Sequence, residues 1–186
     1  MVEAILSRVR VGVNLCVVFY GHPGVFVYPS HEAIRRAKAM GVPSKMLPAI
    51  SAEDCLFADL GLDPGIQGCQ SYAATDFMVH PRNFDTSTPL ILWQVGVIGE
   101  GKAVFSSTTR SGLRILTEFL EPHYNRSHKV VAYEAAEYPM FDSRFRHVQL
   151  ATLPNLEMRT LATLYIPPLS APSPNLEMME RLGVAG

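Results

Sequence analysis

The chain has 186 residues, which is enough for one large domain or two small ones. Hydrophobic residues make up 48% and charged residues 18%, a balance that excludes an intrinsically disordered chain. The net charge of −1 provides no basic field for a nucleic-acid backbone, so we expect no nucleic-acid partner. No apolar stretch reaches the roughly 20 residues of a membrane span, and we expect no membrane insertion.

The three cysteines, Cys16, Cys55 and Cys69, fit neither a disulfide framework nor a paired metal motif. Unpaired thiols are typical of reducing compartments, so the sequence predicts a cytoplasmic protein. The six histidines are scattered without the spacing of zinc ligands, and no metal site is expected.

The first third of the chain predicts half of a doubly wound α/β layer. Apolar residues on one face predict a helix over 2–11. The unbroken apolar run at 15–20 predicts a strand buried on both faces of a parallel sheet. A helix is predicted from an N-cap at Ser30 to residue 40, and a short strand over 45–47. Ser51 is predicted to cap a third helix.

The rest of the chain predicts a mixed sheet with one long helix, hence an α+β domain. That helix is predicted over 110–120, capped by Thr109 or Ser111, and a short helix over 175–182. The predicted strands are 71–78, 90–97, 130–135, 147–153 and 161–166.

A Gly- and Pro-rich stretch at 61–68 indicates a linker between these two parts. We therefore predict a partial N-terminal α/β domain over 1–66 and a C-terminal α+β domain over 67–168. A tail with a short helix is predicted over 169–186.

The segment at 19–26, FYGHPGVF, is the strongest local candidate for a site. A buried strand would deliver Tyr20 and His22 to the carboxyl edge of a sheet, where open α/β sheets bind ligands. Gly21 and Gly24 would let a ligand approach the backbone. The alternative is a tight turn with a hydrogen-bonded histidine.

Two further segments are weaker candidates. The helix start at Ser51 would present free N–H groups to a carboxylate, or be only a capped helix. Gln94 is a polar residue in an apolar run and is expected to be buried with a partner. Tyr133, near the end of another apolar strand, would line the same cleft. The motifs GxSxG, GxGxxG and GxxxxGK[ST] do not occur.

Five segments together resemble one family, the tetrapyrrole (corrin/porphyrin) methylases. The resemblance is strongest to its borosin branch, the peptide backbone N-methyltransferases. The segments are YGHPGVF at 20–26, MLPAISAEDCLFADLGLDPG at 46–65, LILWQVG at 90–96, VVAYEAAEYP at 130–139 and TLATLYIPP at 160–168.

This resemblance implies a two-domain fold with S-adenosylmethionine (SAM) in the cleft between the domains, and methyl transfer to a peptide backbone amide. It implies a catalytic role for Tyr20, by hydrogen bonding to the peptide or by proton relay. The implied cofactor-binding residues are Tyr20, His22, Val25, Ser51, Ala52, Gln94, Tyr133, Ala135, Ala162 and Thr163.

The sequence departs from the family before the predicted strand at 15–20. In the family further strands and helices precede this position, and a catalytic Arg and Tyr lie among them. We expect a truncated or misassigned sequence, with two alternatives: another chain supplies that portion, or the protein binds without catalysing.

The tail after Pro168 contains no long apolar core peptide, unlike fused enzymes that methylate their own C-terminus. The resemblance therefore implies a separate precursor peptide, methylated in trans, and a homodimeric enzyme. The alternatives are a tetrapyrrole or small-molecule methylase of the same fold and a non-catalytic SAM-binding or scaffold relative.

Overall fold

A computed structural model of the protein describes residues 1–80, 82–99, 110–138 and 140–184. The chain divides into two compact units, Met1–Leu62 and Asp63–Gly186, called here the first and second unit. The division lies four residues before the predicted boundary at 66/67, and the predicted tail at 169–186 falls in the second unit.

The first unit contains three helices: α1 (Val2–Arg10), α2 (Tyr28–Ala39) and α3 (Ala52–Leu60). Helices α1 and α2 contact each other, and Leu6 of α1 is fully buried. Arg36 of α2 also donates to the Glu3 carboxylate of α1 at 2.6 Å. The predicted helices are confirmed, although α2 begins before Ser30.

The strands predicted at 15–20 and 45–47 do not form in the structure. Most of the 15–20 run is exposed instead; Val18, for example, is 89% exposed. An apolar run becomes a strand only when a neighbouring strand satisfies its backbone N–H and C=O groups. The described residues of the first unit contain no strand that would pair with it.

Serine plays different roles at the starts of α2 and α3. In α2, Ser30 lies in the first turn rather than at the N-cap, and its hydroxyl donates to the carbonyls of Pro23 and Val27. In α3, Ser51 is the N-cap, as predicted, and forms a capping box with Asp54.

The second unit is built on one five-stranded mixed sheet in the order β1-β2-β5-β3-β4. Only β1 and β2 are parallel; the other neighbours are antiparallel. Its elements are α4 (Pro64–Gln67), β1 (Gln70–Ala73), α5 (Ala74–Val79), β2 (Leu90–Trp93), α6 (Arg110–Leu120), β3 (Lys129–Glu134), β4 (Arg144–Gln149), β5 (Thr163–Ile166) and α7 (Leu176–Leu182).

Three predicted strands have different ends in the structure. The strand predicted at 71–78 stops at Ala73, and the chain continues directly into α5. The strand predicted at 90–97 stops at Trp93 and is followed by a 3-10 helix. The strand predicted at 147–153 is β4, which starts at Arg144 and gives way to a 3-10 helix containing Pro154. Proline cannot donate to a ladder, which opposes a strand there.

The core of the second unit lies where α5, α6 and the 3-10 helices pack on the sheet. Helix α6 has the predicted bounds and buries Leu113, Leu116 and Leu120; Ser111 lies inside it, and Thr109 is outside the described residues. All residues of β2 and β5 are buried, which explains their unbroken apolar sequences. This mixed sheet with packed helices confirms the predicted fold class. No helix in the described ranges is long and apolar enough to cross a membrane.

Candidate functional site

The predicted site residues form two groups, one in each unit. In the first unit, His22 is held inside a tight turn, because the Gly24 N–H donates to its Nδ1 at 2.9 Å. His31 of α2 bonds to the next peptide group, with Nε2 2.9 Å from the Gly24 carbonyl oxygen. A carbonyl only accepts, so that His31 nitrogen carries the proton. The two histidines therefore fix the peptide groups on either side of the Gly24 Cα.

Two glycines bring this turn close to the segment that leads into α3. A Cβ atom on Gly24 would lie 2.8 Å from the Met46 sulfur, and one on Gly21 would lie 3.8 Å from the Ile50 carbonyl oxygen. Gly21 also has a φ of 69°, a conformation that favours glycine. The turn and the start of α3 are thus neighbours, and residues predicted from separate motifs come together.

The start of α3 is fixed by a carboxylate. The Ser51 N–H and hydroxyl both donate to Asp54 at 2.7 Å. These bonds favour the charged carboxylate, so the pKa of Asp54 lies below its ordinary value. Ser51 is buried, whereas Ala52, the next residue, is exposed.

Tyr20 and Val25 flank the histidine turn. Tyr20 is 67% exposed, and Val25 is half-buried. The Val25 N–H donates to the His22 carbonyl at 3.3 Å, which closes the turn.

The second group lies along the edge of the sheet that is formed by strand ends, where β2 and β3 end and β5 begins. Strands β2 and β3 both run antiparallel to β5, so their carboxyl ends meet the amino end of β5. Tyr133 pairs with Thr163 in this register, and the Val95 N–H donates to the Ala162 carbonyl at 3.0 Å. Tyr133, Ala162 and Thr163 are buried and Ala135 is half-buried. The five residues predicted in this unit, Gln94 included, therefore share one edge, here called the sheet-edge group.

Gln94 differs from its prediction. Its side chain is exposed, and its backbone is left-handed with a φ of 59° and a ψ of 35°. The strand has already ended at Trp93, and the turn into the 3-10 helix points the amide away from the core. A left-handed conformation in a non-glycine residue is strained and is concentrated at functional sites.

Gly96 was missed by sequence reasoning and is needed to build this edge. A Cβ atom there would lie 2.0 Å from the Arg159 carbonyl oxygen and 3.1 Å from the Thr160 Cα. The two backbone segments therefore touch at Gly96. The LILWQVG motif contains this glycine, but its packing partner lies more than 60 residues further along the chain and has no local signal.

A cavity of about 1060 Å³ opens beside the sheet-edge group in the second unit. Ala132, Met158 and Ala162 provide a buried apolar floor. Its charged lining residues are Arg110, Arg144, Arg146, Arg159, Glu134 and Glu157. Sequence reasoning missed the arginines, although the alternation of charged and aromatic residues at 144–147 is compatible with a β-strand that has both arginines on one face.

Within the described ranges, the structure contains no group of three or more His, Cys, Asp or Glu side chains arranged to hold a metal ion. The two groups of site residues instead offer hydrogen-bonding backbone, small apolar surfaces and single polar side chains.

The family described as Tetrapyrrole (Corrin/Porphyrin) Methylases matches residues 1–154 of the sequence. The chain belongs to the tetrapyrrole methylase family. The match includes both units down to the 3-10 helix after β4, and with it the turn at His22, the start of α3, Gln94 and Tyr133.

Among proteins similar in sequence to this tetrapyrrole methylase, a methyltransferase/ribosomally synthesized cyclic peptide gymnopeptides precursor from Gymnopus fusipes is 44% identical. The corresponding omphalotin A precursor from Omphalotus olearius is 41% identical. Each alignment includes 98% of this chain but only 44% and 45% of the respective relative. The chain thus spans less than half the length of these relatives.

Solved structures agree on the fold. A cobalt precorrin-4 methyltransferase from cobalamin biosynthesis superimposes with a TM-score of 0.63 at 15% identity, over 89% of this tetrapyrrole methylase and 69% of that chain. A uroporphyrin-III C-methyltransferase from Thermus thermophilus, complexed with S-adenyl homocysteine, gives a TM-score of 0.59 at 18% identity, over 89% and 71%.

Proposed function

We propose that the protein is a SAM-dependent methyltransferase that methylates backbone amide nitrogens of a separate ribosomal precursor peptide. The observation that carries this proposal is the 36–44% identity to borosin-type methyltransferase precursors across nearly the whole chain. Identity to the tetrapyrrole enzymes of similar fold is far lower, at 15–18%.

The residues of both groups fit SAM. The sulfonium of SAM supplies an electrophilic methyl group. In the sheet-edge group, the small side chain of Ala162 lines the cavity, and the exposed Gln94 amide offers a donor and an acceptor. In the first unit, α3 starts beside the histidine turn, and the first-turn N–H groups outside the Ser51–Asp54 capping box would stabilise a carboxylate. All ten predicted residues keep their proposed cofactor-binding roles.

We assign Tyr20 to the peptide substrate as well as to the cofactor. An amide nitrogen is a poor nucleophile, because its lone pair is delocalised into the carbonyl. The reaction therefore needs help with removing the amide proton or with charge on the carbonyl oxygen. The exposed Tyr20 hydroxyl is suited to either task, since it both donates and accepts.

The first test is calorimetric titration of the chain with SAM. Saturable binding of about one SAM per chain is expected. A folded chain that does not bind SAM would contradict the assignment of these residues.

A matched pair of N-cap variants separates the site from general stability. Ser51→Ala and Asn175→Ala each remove a side chain that caps a helix, but only Ser51 lies in the proposed site. Each cap contributes about 1 kcal/mol to stability. We expect only Ser51→Ala to weaken SAM binding; equal effects of both variants on affinity would argue against a site at the start of α3.

Substrate class is tested by co-expression with the precursor portion of the Gymnopus fusipes relative. The proposal expects peptide masses that increase by whole methylene units and tandem spectra that locate them on backbone nitrogens. A chain that binds SAM but leaves the peptide unmodified would argue against peptide methylation.

A tetrapyrrole methylase is the second candidate, and the arginine-lined cavity favours it, since porphyrin-type substrates carry several carboxylates. It predicts methyl transfer from SAM to a uroporphyrinogen or precorrin and indifference to peptide. Retained SAM binding without transfer to either substrate would instead support a non-catalytic relative.

We also propose that the protein acts as a homodimer in the cytoplasm. Sedimentation equilibrium tests the first part, with a single species of twice the chain mass as the expected result. Fractionation of cells that produce the protein tests the second.

A further inference from the structure

Strand β4 is an edge strand of the sheet. In the part of the chain that the structure describes, it pairs with β3 alone. It spans Arg144–Gln149, and five of its six residues are exposed. The outer edge of such a strand presents N–H and C=O groups that another extended chain can pair with.

The two faces of β4 differ in chemistry. Arg144 is opposite Glu134, and Arg146 is opposite Ala132, in the antiparallel register with β3. Opposed side chains of an antiparallel pair lie on the same face, so both arginines belong to the face that borders the cavity. Phe145, His147 and Gln149 alternate with them on the other face, although Phe145 also lines the cavity; the Phe145 and His147 rings are edge-to-face with their centroids 6.0 Å apart.

The charges of the cavity are unbalanced. Four guanidinium groups line it against two carboxylates. Arg159 forms an ion pair with Glu134, with its Nε 3.7 Å from that carboxylate. Arg146 donates to the backbone carbonyl of Glu157 rather than to its carboxylate. Neither Arg110 nor Arg144 has an ion-pair partner among the described residues.

We propose that β4 is the docking site for an extended acidic segment of the substrate peptide, which adds to the sheet as a sixth strand. Acidic residues at alternate positions would face Arg144 and Arg146, and apolar residues between them would cover Phe145 and His147. This inference rests on the proposed function for the identity of the peptide. Three observations support it: among the described residues β4 pairs with β3 alone, two arginines share one of its faces, and the aromatic rings of Phe145 and His147 share the other.

The position of β4 beside the cavity fits the proposed chemistry. The cavity is shared by Arg144 and Arg146 at the rim and by Ala162 of the sheet-edge group at the floor. A peptide held on β4 would therefore lie beside the proposed cofactor residues. Backbone N-methylation removes the N–H that a strand donates, so the residues whose N–H groups pair with β4 cannot be methylated ones.

Fluorescence anisotropy with the intact chain measures docking without turnover. The probe is a fluorescein-labelled peptide in which glutamate and valine alternate. Arg144→Glu/Arg146→Glu turns two attractive pairs into repulsive ones and is expected to weaken binding by about tenfold or more. Arg144→Gln/Arg146→Gln removes the charges with a smaller risk of misfolding and is expected to weaken binding less.

Arg114→Glu/Arg181→Glu is the matched control, because both side chains are exposed arginines of the second unit outside the cavity lining. We expect this control to bind the peptide as the unchanged protein does. Equal weakening by the control would mean non-specific attraction to net charge and would overturn the proposal.

Two altered peptides test strand addition itself. A peptide of the same composition with its glutamates in one block is expected to bind more weakly, because its charges would lie on both faces of a strand. N-methylation of alternate amides in one register should abolish binding, and in the other register should leave it unchanged. Equal effects in both registers would overturn pairing with β4.

The outcomes distinguish this inference from the proposed function. Peptide binding that depends on Arg144 and Arg146, without methyl transfer, would support the docking site and contradict the proposed activity. Methyl transfer to a precursor with an unchanged KM in Arg144→Glu/Arg146→Glu would support the activity and overturn the docking site. Preference for a carboxylated porphyrin over every peptide would overturn it as well.

Discussion

At the scale of single residues, Gly96 is the described glycine at which an added Cβ would meet the shortest contact. A methyl group there would lie 2.0 Å from the Arg159 carbonyl oxygen, and backbone cannot move aside as a flexible side chain can. We expect Gly96→Ala to lower the free energy of unfolding by about 3 kcal/mol or more, measured by urea denaturation.

Gly99→Ala is the control for this substitution. Its added Cβ would contact nothing within 4 Å, but its φ of 81° disfavours alanine. A loss of about 1 kcal/mol is therefore expected from backbone strain alone. A Gly96→Ala variant no less stable than Gly99→Ala would show that the two segments do not touch at Gly96.

Gln94 is a position where a substitution is expected to stabilise the protein, since its left-handed backbone is strained. Glycine adopts this conformation without a Cβ penalty, so Gln94→Gly is expected to raise the free energy of unfolding by up to about 1 kcal/mol. The same variant should bind SAM more weakly, because the exposed amide is lost. A variant that loses stability would instead assign the side chain a structural role.

At the scale of elements, helix α2 contains a pH-dependent charge cluster. Arg35 and Arg36 both hydrogen-bond to Glu32, at 2.6–2.7 Å, and together they lower the pKa of its carboxyl to about 2. A depressed folded-state pKa stabilises the fold above the ordinary carboxyl pKa of 4.5, and that contribution is lost as the pH falls towards 2.

Glu32→Gln tests this cluster through thermal unfolding between pH 2 and pH 6. The unchanged protein should be more stable than the variant at pH 6, and the difference should shrink as the pH falls to 2, where the carboxyl is protonated in the unfolded chain and about half protonated in the folded one. A difference independent of pH would mean that packing, not charge, distinguishes the two proteins.

One pentapeptide shows how packing overrides local sequence at this scale. PNLEM occurs at 154–158 and again at 174–178. In the first copy the chain leaves a 3-10 helix and becomes extended, and Met158 is buried in the core. In the second copy Asn175 caps α7 by accepting from the Met178 N–H at 3.0 Å, and Met178 stays 43% exposed. The surroundings, not the five residues, select the conformation.

At the scale of the whole molecule, the two units differ in how much core each contains. The large hydrophobic cluster lies entirely in the second unit. We expect residues 63–186 to fold alone and to unfold cooperatively, as measured by circular dichroism in urea, because their sheet and core are contained within that unit.

Residues 1–62, the first unit, contain much less buried apolar surface than the second unit. Their buried apolar residues are only Leu6, Ala33, Ala37 and Leu56, so little apolar burial offsets the entropy of ordering the chain. We expect this fragment to lack a cooperative transition. A cooperative transition from it, or none from residues 63–186, would contradict this division of stability.

The sequence by itself determined the family, the choice of candidate site residues and five of the helices (α1, α2, α3, α6 and α7), but not α4 or α5. Caps, apolar periodicity and glycine stops act within a few residues, so α1, α3 and α6 could be predicted closely. Tertiary structure alone decided which apolar runs became strands: the run at 15–20 stays exposed, whereas β2 is buried between neighbours.

Tertiary structure also decided how the candidate site residues are brought together. Gly96 contacts Arg159, and Arg144 and Arg146 line a cavity together with Arg110, Ala132 and Ala162, so both features join residues far apart in the chain. Pairing and close backbone approach depend on the partner segment as much as on the residue itself. No local pattern encodes that partner, because the free energy of these contacts exists only once the chain has folded.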